Sequence, residues 1–214
     1  MQQVLIFDYD GVIVDSLEIF MKYFIKACKQ EGYSEIATKK EFLQLFQGNM
    51  FDQMTKKGMN KKTILNIVYT LKEGLETHQH QINLFPDMKS VLRDLSREHK
   101  LIISTSNETN VVRKHLKKEN IDRLFDEIYG SDIEPSKVKK IQIIQNKNPP
   151  GKYFYIGDTI GDILEGKEAQ VQTIAVSWGW HTKEELLKVK PDHIVDKPSN
   201  LLTVLNEISS IKLS

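Results

Sequence analysis

The sequence has a single cysteine, Cys28, in 214 residues, which excludes an internal disulfide. A lone thiol fits a reducing cytoplasm, the compartment expected for this chain. Cys28 follows Ala27 in a helical pattern and reads as a small packing residue. Charge of one sign is lacking as well: 30 Lys and Arg face 29 Asp and Glu, a net charge of +1. That balance gives no electrostatic reason to expect nucleic acid or a membrane surface as a partner. No apolar run reaches the ~20 residues of a transmembrane helix, and a strand pattern begins almost at once, so no signal peptide is expected. Internal repeats and low-complexity segments are missing too, and no heptad indicates an oligomeric state.

What is present is an ordinary globular composition, 40% hydrophobic and 28% charged, in a chain long enough to bury a sizeable core. Val4-Leu5-Ile6-Phe7 is a short continuous apolar run, the pattern of a strand covered on both faces of a parallel sheet. It stops at Asp8-Tyr9-Asp10-Gly11. Residues two apart on extended chain point the same way, so Asp8 and Asp10 face one small volume, and Gly11 lets the backbone leave sharply. Taken alone, such a tetrapeptide is also what an ordinary polar turn contains.

Further strands are expected at Leu101–Ile103, Phe125–Tyr129, Tyr153–Ile156, Thr173–Val176 and His193–Val195, with helical segments between them. This alternation predicts an α/β fold, a doubly wound parallel Rossmann-like sheet with right-handed crossovers. Residues 17–84 hold no convincing strand. Helices are expected there over Leu17–Gly32, Thr38–Gln47 (Thr38 as N-cap, Glu41 three residues on), Phe51–Lys57 and Lys61–Gln79. The result is an α/β core of residues 1–15 and 86–214 with an inserted small helical domain, 16–85. His78 and His80, two apart on a helix, point to different sides and form no metal pair. Trp178 and Trp180, flanking Gly179, read as packing residues.

In parallel sheets ligands collect beyond the carboxyl ends of the strands. Asp8, Thr105 and Asp158 each follow a strand, which places them around one cleft. Asp8, Asp158 and a backbone carbonyl at Asp10 make an all-oxygen site for a hard cation, Mg²⁺ rather than Zn²⁺. Thr105 offers a hydroxyl, and the amides of Ser106 and Asn107 lie where a helix is about to begin, a position that favours anions. Lys137, in the first turn after the N-cap Ser136, brings positive charge; Lys139 and Lys140 are its close rivals. A carboxylate attacks a dianionic phosphate only when that charge is neutralised, so the cation and the lysine belong to the same chemistry.

Asp8-x-Asp10-Gly11-Val12-Ile13-Val14-Asp15-Ser16, the apolar run into Thr105, Lys137, and Gly157-Asp158-x-x-x-Asp162 resemble the four motifs of the haloacid dehalogenase superfamily. Gly166-Lys167-x-Ala169, Thr173-Ile174-x-Val176-x-Trp178-Gly179 and Pro191-Asp192-x-Ile194-Val195-Asp196-x-Pro198 resemble its phosphoglycolate phosphatase group. The resemblance spans nearly the whole chain. It implies a Mg²⁺-dependent phosphatase acting on a small phosphorylated metabolite, phosphoglycolate-like. Asp8 would be the nucleophile that becomes an aspartyl phosphate, and Asp10 the acid and base whose carbonyl also meets the metal. Thr105, Ser106 and Lys137 would hold the phosphoryl group, and Asp158 the metal. Asp162 would support through water or by orienting Lys137. The helical insert matches a mobile cap, with Gln47, Gly48, Asn49 and Met50 as specificity candidates. A dehalogenase lacks the second aspartate, and mutase relatives carry a histidine where this chain has Phe20. A sugar-phosphate mutase and a non-catalytic phospho-ligand binder remain the alternatives.

Overall fold

The computed structural model describes residues 3–148 and 151–210. The chain runs β1 (Gln3–Phe7), β2 (Val14–Asp15), α1 (Leu17–Gln30), α2 (Lys39–Gln44), α3 (Met50–Lys56), α4 (Lys61–His78) and β3 (Asn83–Leu84). It continues through α5 (Met88–Leu95), β4 (Lys100–Ser104), α6 (Thr109–Lys118), β5 (Glu127–Tyr129), α7 (Lys137–Lys147) and β6 (Lys152–Gly157). The last elements are α8 (Ile160–Glu168), β7 (Gln172–Val176), α9 (Lys183–Lys188), β8 (His193–Val195) and α10 (Asn200–Ser210).

Six strands form one parallel sheet in the order β5-β4-β1-β6-β7-β8. The first strand lies in the middle and the chain winds outward from it on both sides, so the reversal of direction opens a crevice at the carboxyl ends of β1, β4 and β6. Alternation along β1 explains its continuous apolar pattern. Leu5 and Phe7 enter the core shared with α5, α10 and the insert, whereas Val4 and Ile6 pack with Ile141 and Ile144 of α7 on the opposite face. None of the described helices is long and apolar enough to cross a membrane.

The helices of the insert follow the spacing of their apolar residues. Thr38 caps α2 with a reciprocal bond pair to Glu41, and Gly32 after α1 and Gly58 after α3 have φ +88° and +86°, where an L side chain is strained. α2 stops at Gln44, short of the expected Gln47. A two-stranded antiparallel ribbon, β2 with β3, brackets the insert and was not expected; two-residue strands carry no periodicity to read. The strand expected from Phe125 begins at Glu127, because Phe125 follows a 3-10 turn and packs edge-on against Phe7. His78 and His80 do not diverge: α4 ends at His78, the chain tightens into a 3-10 turn, and the imidazoles stack 6.2 Å apart.

Candidate active site

Asp8 leaves β1 with its amide donating to the Ile156 carbonyl (2.9 Å), which locks it beside the end of β6. Lys137 is the first residue of α7, and its Nζ lies 2.9 Å from Asp8 Oδ2 and 2.7 Å from Asp162 Oδ1. Asp162 stands in the first turn of α8. Its Oδ1 also accepts from the Tyr155 hydroxyl (3.1 Å), and its Oδ2 accepts from the Thr159 amide and hydroxyl (3.1 and 2.6 Å) in a capping box. Both oxygens are therefore engaged, and the geometry suits a group that aims Lys137.

The charges follow from this arrangement. Burial opposes the Asp162 charge, but Lys137 and the Thr159 donors outweigh it and hold the carboxyl below its ordinary range. Burial likewise opposes the Lys137 charge, and Asp162 and Asp8 outweigh it, so the ammonium is kept. Burial pushes Asp8 up to about 7; Lys137 pulls it back while Asp162 and Asp10 push it further.

Asp158, at the end of β6, is fully buried. Its Oδ2 accepts the Trp180 amide (2.7 Å), and its Oδ1 has no partner. Burial and then the neighbouring Asp162 and Asp8 charges drive its carboxyl well above the usual carboxylate range. Carboxylate oxygens of Asp8, Asp158 and Asp162 lie within 4.8 Å of one another. An unpaired, buried, acidic oxygen in an all-oxygen cluster is the donor chemistry of a hard divalent cation, so the residues fit Mg²⁺. The side chain of Asp10 is not part of that triad: its Oδ2 accepts from Asn107 Nδ2 (2.6 Å). Only its backbone carbonyl remains for the role expected of it at the metal. Gly11, at φ +76°, touches Asp158 so closely that a Cβ there would sit 1.9 Å from Oδ2, and Gly179 closes the other side at 2.4 Å.

Around the anion position, Thr105 is wholly buried and its Oγ1 accepts the Asn107 amide (3.1 Å), while Ser106 lines the cleft. α6 begins only at Thr109, so the Ser106 and Asn107 amides belong to the loop before it. Lys140 is fully buried and donates to the Thr105 carbonyl, holding that loop from behind. Lys139 is exposed. Of the three lysines, Lys137 alone reaches Asp8.

The insert covers the cleft. Gly48, Asn49 and Met50 line it, whereas Gln47 is exposed and does not. The Gly161 amide donates to the Phe46 carbonyl (2.9 Å), and Asn49 Nδ2 donates to Glu165 Oε1 (3.1 Å). His181 accepts the Ile160 amide at Nδ1 (2.9 Å) and contacts the Leu43 carbonyl through Nε2 (3.1 Å), which places its proton on Nε2. Phe20, Phe46 and Trp180 form an aromatic wall with ring centroids 4.8–6.1 Å apart. Sequence reasoning missed the Asn107 carboxamide, Glu165 and this wall. Glu165 was within reach, since it follows Asp162 by three positions and therefore shares its face of α8.

A family model described as haloacid dehalogenase-like hydrolase matches residues 5–176. Among curated relatives, a phosphoglycolate phosphatase of Synechococcus elongatus is 24% identical over 209 residues, covering 96% of this chain and 98% of its own. Pyrophosphatase PpaX of Bacillus mycoides is 25% identical over 212 residues, 95% and 97% of the two chains. Among solved structures, a haloacid dehalogenase-like family hydrolase of Streptococcus pneumoniae superposes with TM-score 0.72 at 26% identity, over 95% of this chain and 98% of that one. A hydrolase of Pseudomonas syringae shares the fold with TM-score 0.78 at 22% identity, over 97% and 99%. The motif order, the strand-end cluster and these matches agree, and the chain belongs to the haloacid dehalogenase-like hydrolases.

Proposed function

We propose that this hydrolase is a cytoplasmic Mg²⁺-dependent phosphatase that cleaves a small phosphate monoester through an aspartyl phosphate on Asp8. The observation that carries the reading is the Asp8–Lys137–Asp162 chain of contacts, 2.9 and 2.7 Å, beside the unpaired Oδ1 of Asp158. Asp8, Asp158 and the Asp10 carbonyl would hold the ion, which when bound supplies positive charge to the nucleophile and to the phosphoryl oxygens.

Asp8 attacks phosphorus, and the bond to the leaving oxygen breaks in line. Lys137, steered by Asp162, neutralises charge on the phosphoryl group, with the Ser106 and Asn107 region and Thr105 on its other side. Asp10 gives its proton to the departing alkoxide and then takes one from the water that cleaves the aspartyl phosphate, which regenerates Asp8 and frees phosphate. Two features suit Asp10 to that task. Burial raises its carboxyl pKa, and Asn107 Nδ2 holds the carboxyl at Oδ2 (2.6 Å) in the wall of the cleft.

Residues 16–85 act as a cap whose closure excludes water. Phe20, buried in the aromatic wall, offers no proton-transfer group, which supports hydrolysis over a mutase. The names of the relatives make phosphoglycolate and pyrophosphate the first natural compounds to assay. The test uses p-nitrophenyl phosphate with Mg²⁺. Asp8→Asn should lower kcat by roughly 10³-fold or more while the melting curve is retained, and chelation should have the same effect on the wild type. Turnover undiminished in Asp8→Asn would end the reading.

A further inference from the structure

The residues that line the cleft show what the leaving group must look like. Among the described residues that line it the only cation is Lys137, and it is already shared between Asp8 and Asp162. The acids Asp10 and Glu165 line the same cleft, each already hydrogen-bonded to a carboxamide, Asn107 and Asn49. A substrate with a second anionic group would find no further cation among the described residues that line the cleft, and an unpaired buried charge is costly. The insert contributes Phe20, Phe46, Met50 and Phe51 instead, with one amide from Asn49.

A second hollow adjoins the first. The two share Phe20, Met50, Phe51 and Ser106, and the second then runs between Val68, Leu71 and Leu75 of α4 and Val111 of α6. Among its described lining residues the single cation is Lys72, which pairs with Glu108 at 2.7 Å. Ser106 stands at the junction, beside the phosphate position. A path past Ser106 would lead the organic part of an ester bound at Asp8 towards this hollow, whose walls are mainly apolar, with Asn107, Glu108 and Ser131 among its polar residues.

We infer that the substrate is a phosphate monoester of an uncharged, largely apolar alcohol, whose carbon chain lies in the slot formed by Val68, Leu71, Leu75 and Val111. This rests on the phosphatase reading above and narrows it, away from carboxylated esters and from pyrophosphate. Apolar burial without a competing charge supplies the affinity, and each methylene that enters the slot adds to it.

The experiment compares kcat/KM of the full-length enzyme with Mg²⁺ for methyl phosphate, n-hexyl phosphate, 2-phosphoglycolate and pyrophosphate, with p-nitrophenyl phosphate and Asp8→Asn as controls. Hexyl phosphate should exceed methyl phosphate, phosphoglycolate and pyrophosphate by on the order of tenfold or more, mainly through KM. A Val68→Lys variant, at a half-buried position and checked by its melting curve, should raise KM for hexyl phosphate several-fold and lower it for phosphoglycolate. Asp8-dependent turnover of p-nitrophenyl phosphate, with phosphoglycolate or pyrophosphate equal or preferred to hexyl phosphate, overturns the apolar substrate and leaves the phosphatase standing. Unchanged KM values in Val68→Lys overturn the slot. Absence of Asp8-dependent turnover on any ester overturns the phosphatase reading itself.

Discussion

Lys137 and Lys140 stand one helical turn apart on α7, both buried, and their surroundings give them opposite electrostatics. Lys137 meets two carboxylates and keeps its proton. Lys140 meets a carbonyl, and burial, reinforced by the Lys137 charge, pulls its pKa down to about 8. In the unfolded chain a lysine titrates near 10.4. Between about pH 8 and ~10.4 the unfolded state therefore binds more protons than the folded one, and this group's contribution to stability rises with pH across that window. Urea unfolding of wild type and Lys140→Met at pH 7.5 and 10 should show the difference shift in favour of the wild type, by up to about 3 kcal/mol for a shift of this size. A gap independent of pH would show that Lys140 is not desolvated in the fold. The same pair illustrates what a sequence discloses at this scale. Asp8 and Asp158 were legible because each directly follows an apolar strand, and Asp162 because it stands four positions after Asp158 in the same motif. The choice among Lys137, Lys139 and Lys140 rested on the first helical turn alone; Glu165 was readable from its helical spacing after Asp162, whereas the Asn107 carboxamide depends on which side chains meet across elements, which no local pattern encodes.

At the scale of elements, the meeting of α8 with the loop between α2 and α3 sets how closely the insert can approach. Gly161 lies in the first turn of α8 with no positive φ, so alanine suits its backbone and would favour the helix by about 1 kcal/mol. A Cβ there, however, would come 2.7 Å from the Gly48 carbonyl and 3.0 Å from that of Phe46, backbone atoms that cannot rotate away. Gly161→Ala should therefore leave thermal stability within about 1 kcal/mol of wild type while kcat/KM falls at least tenfold, since the insert is wedged off the cleft. Full activity in that variant would show that such close seating is dispensable. The helices flanking this contact were readable from their caps and apolar spacing. The contact itself was not, because a glycine chosen for the approach of another backbone looks in sequence like any helix-start glycine. The β2–β3 ribbon was hidden for a related reason: its pairing joins residues nearly seventy positions apart and spans only two residues on each side.

Across the whole molecule, the insert and the sheet share one apolar cluster. It runs from Leu5 and Phe7 of β1 through Phe20, Phe24 and Phe42 to Met54, Ile67 and Leu71, and reaches Leu92 and Leu201 on the helices behind the sheet. The Lys72–Glu108 bridge across the same boundary is weak beside this, because its side chains are 37% and 44% exposed and such pairs contribute ~0–1 kcal/mol. Cohesion therefore comes from apolar packing and the backbone contacts, which are lost together when the insert separates. Trp180 reports on that boundary directly, with its ring 5.0 Å from Phe20 and 4.8 Å from Phe46. Urea unfolding followed by tryptophan fluorescence and by far-ultraviolet circular dichroism should give coincident single transitions. A fluorescence change that precedes the loss of helix would mean that the insert opens as a separate unit, and that the shared cluster does not bind the two parts into one cooperative fold.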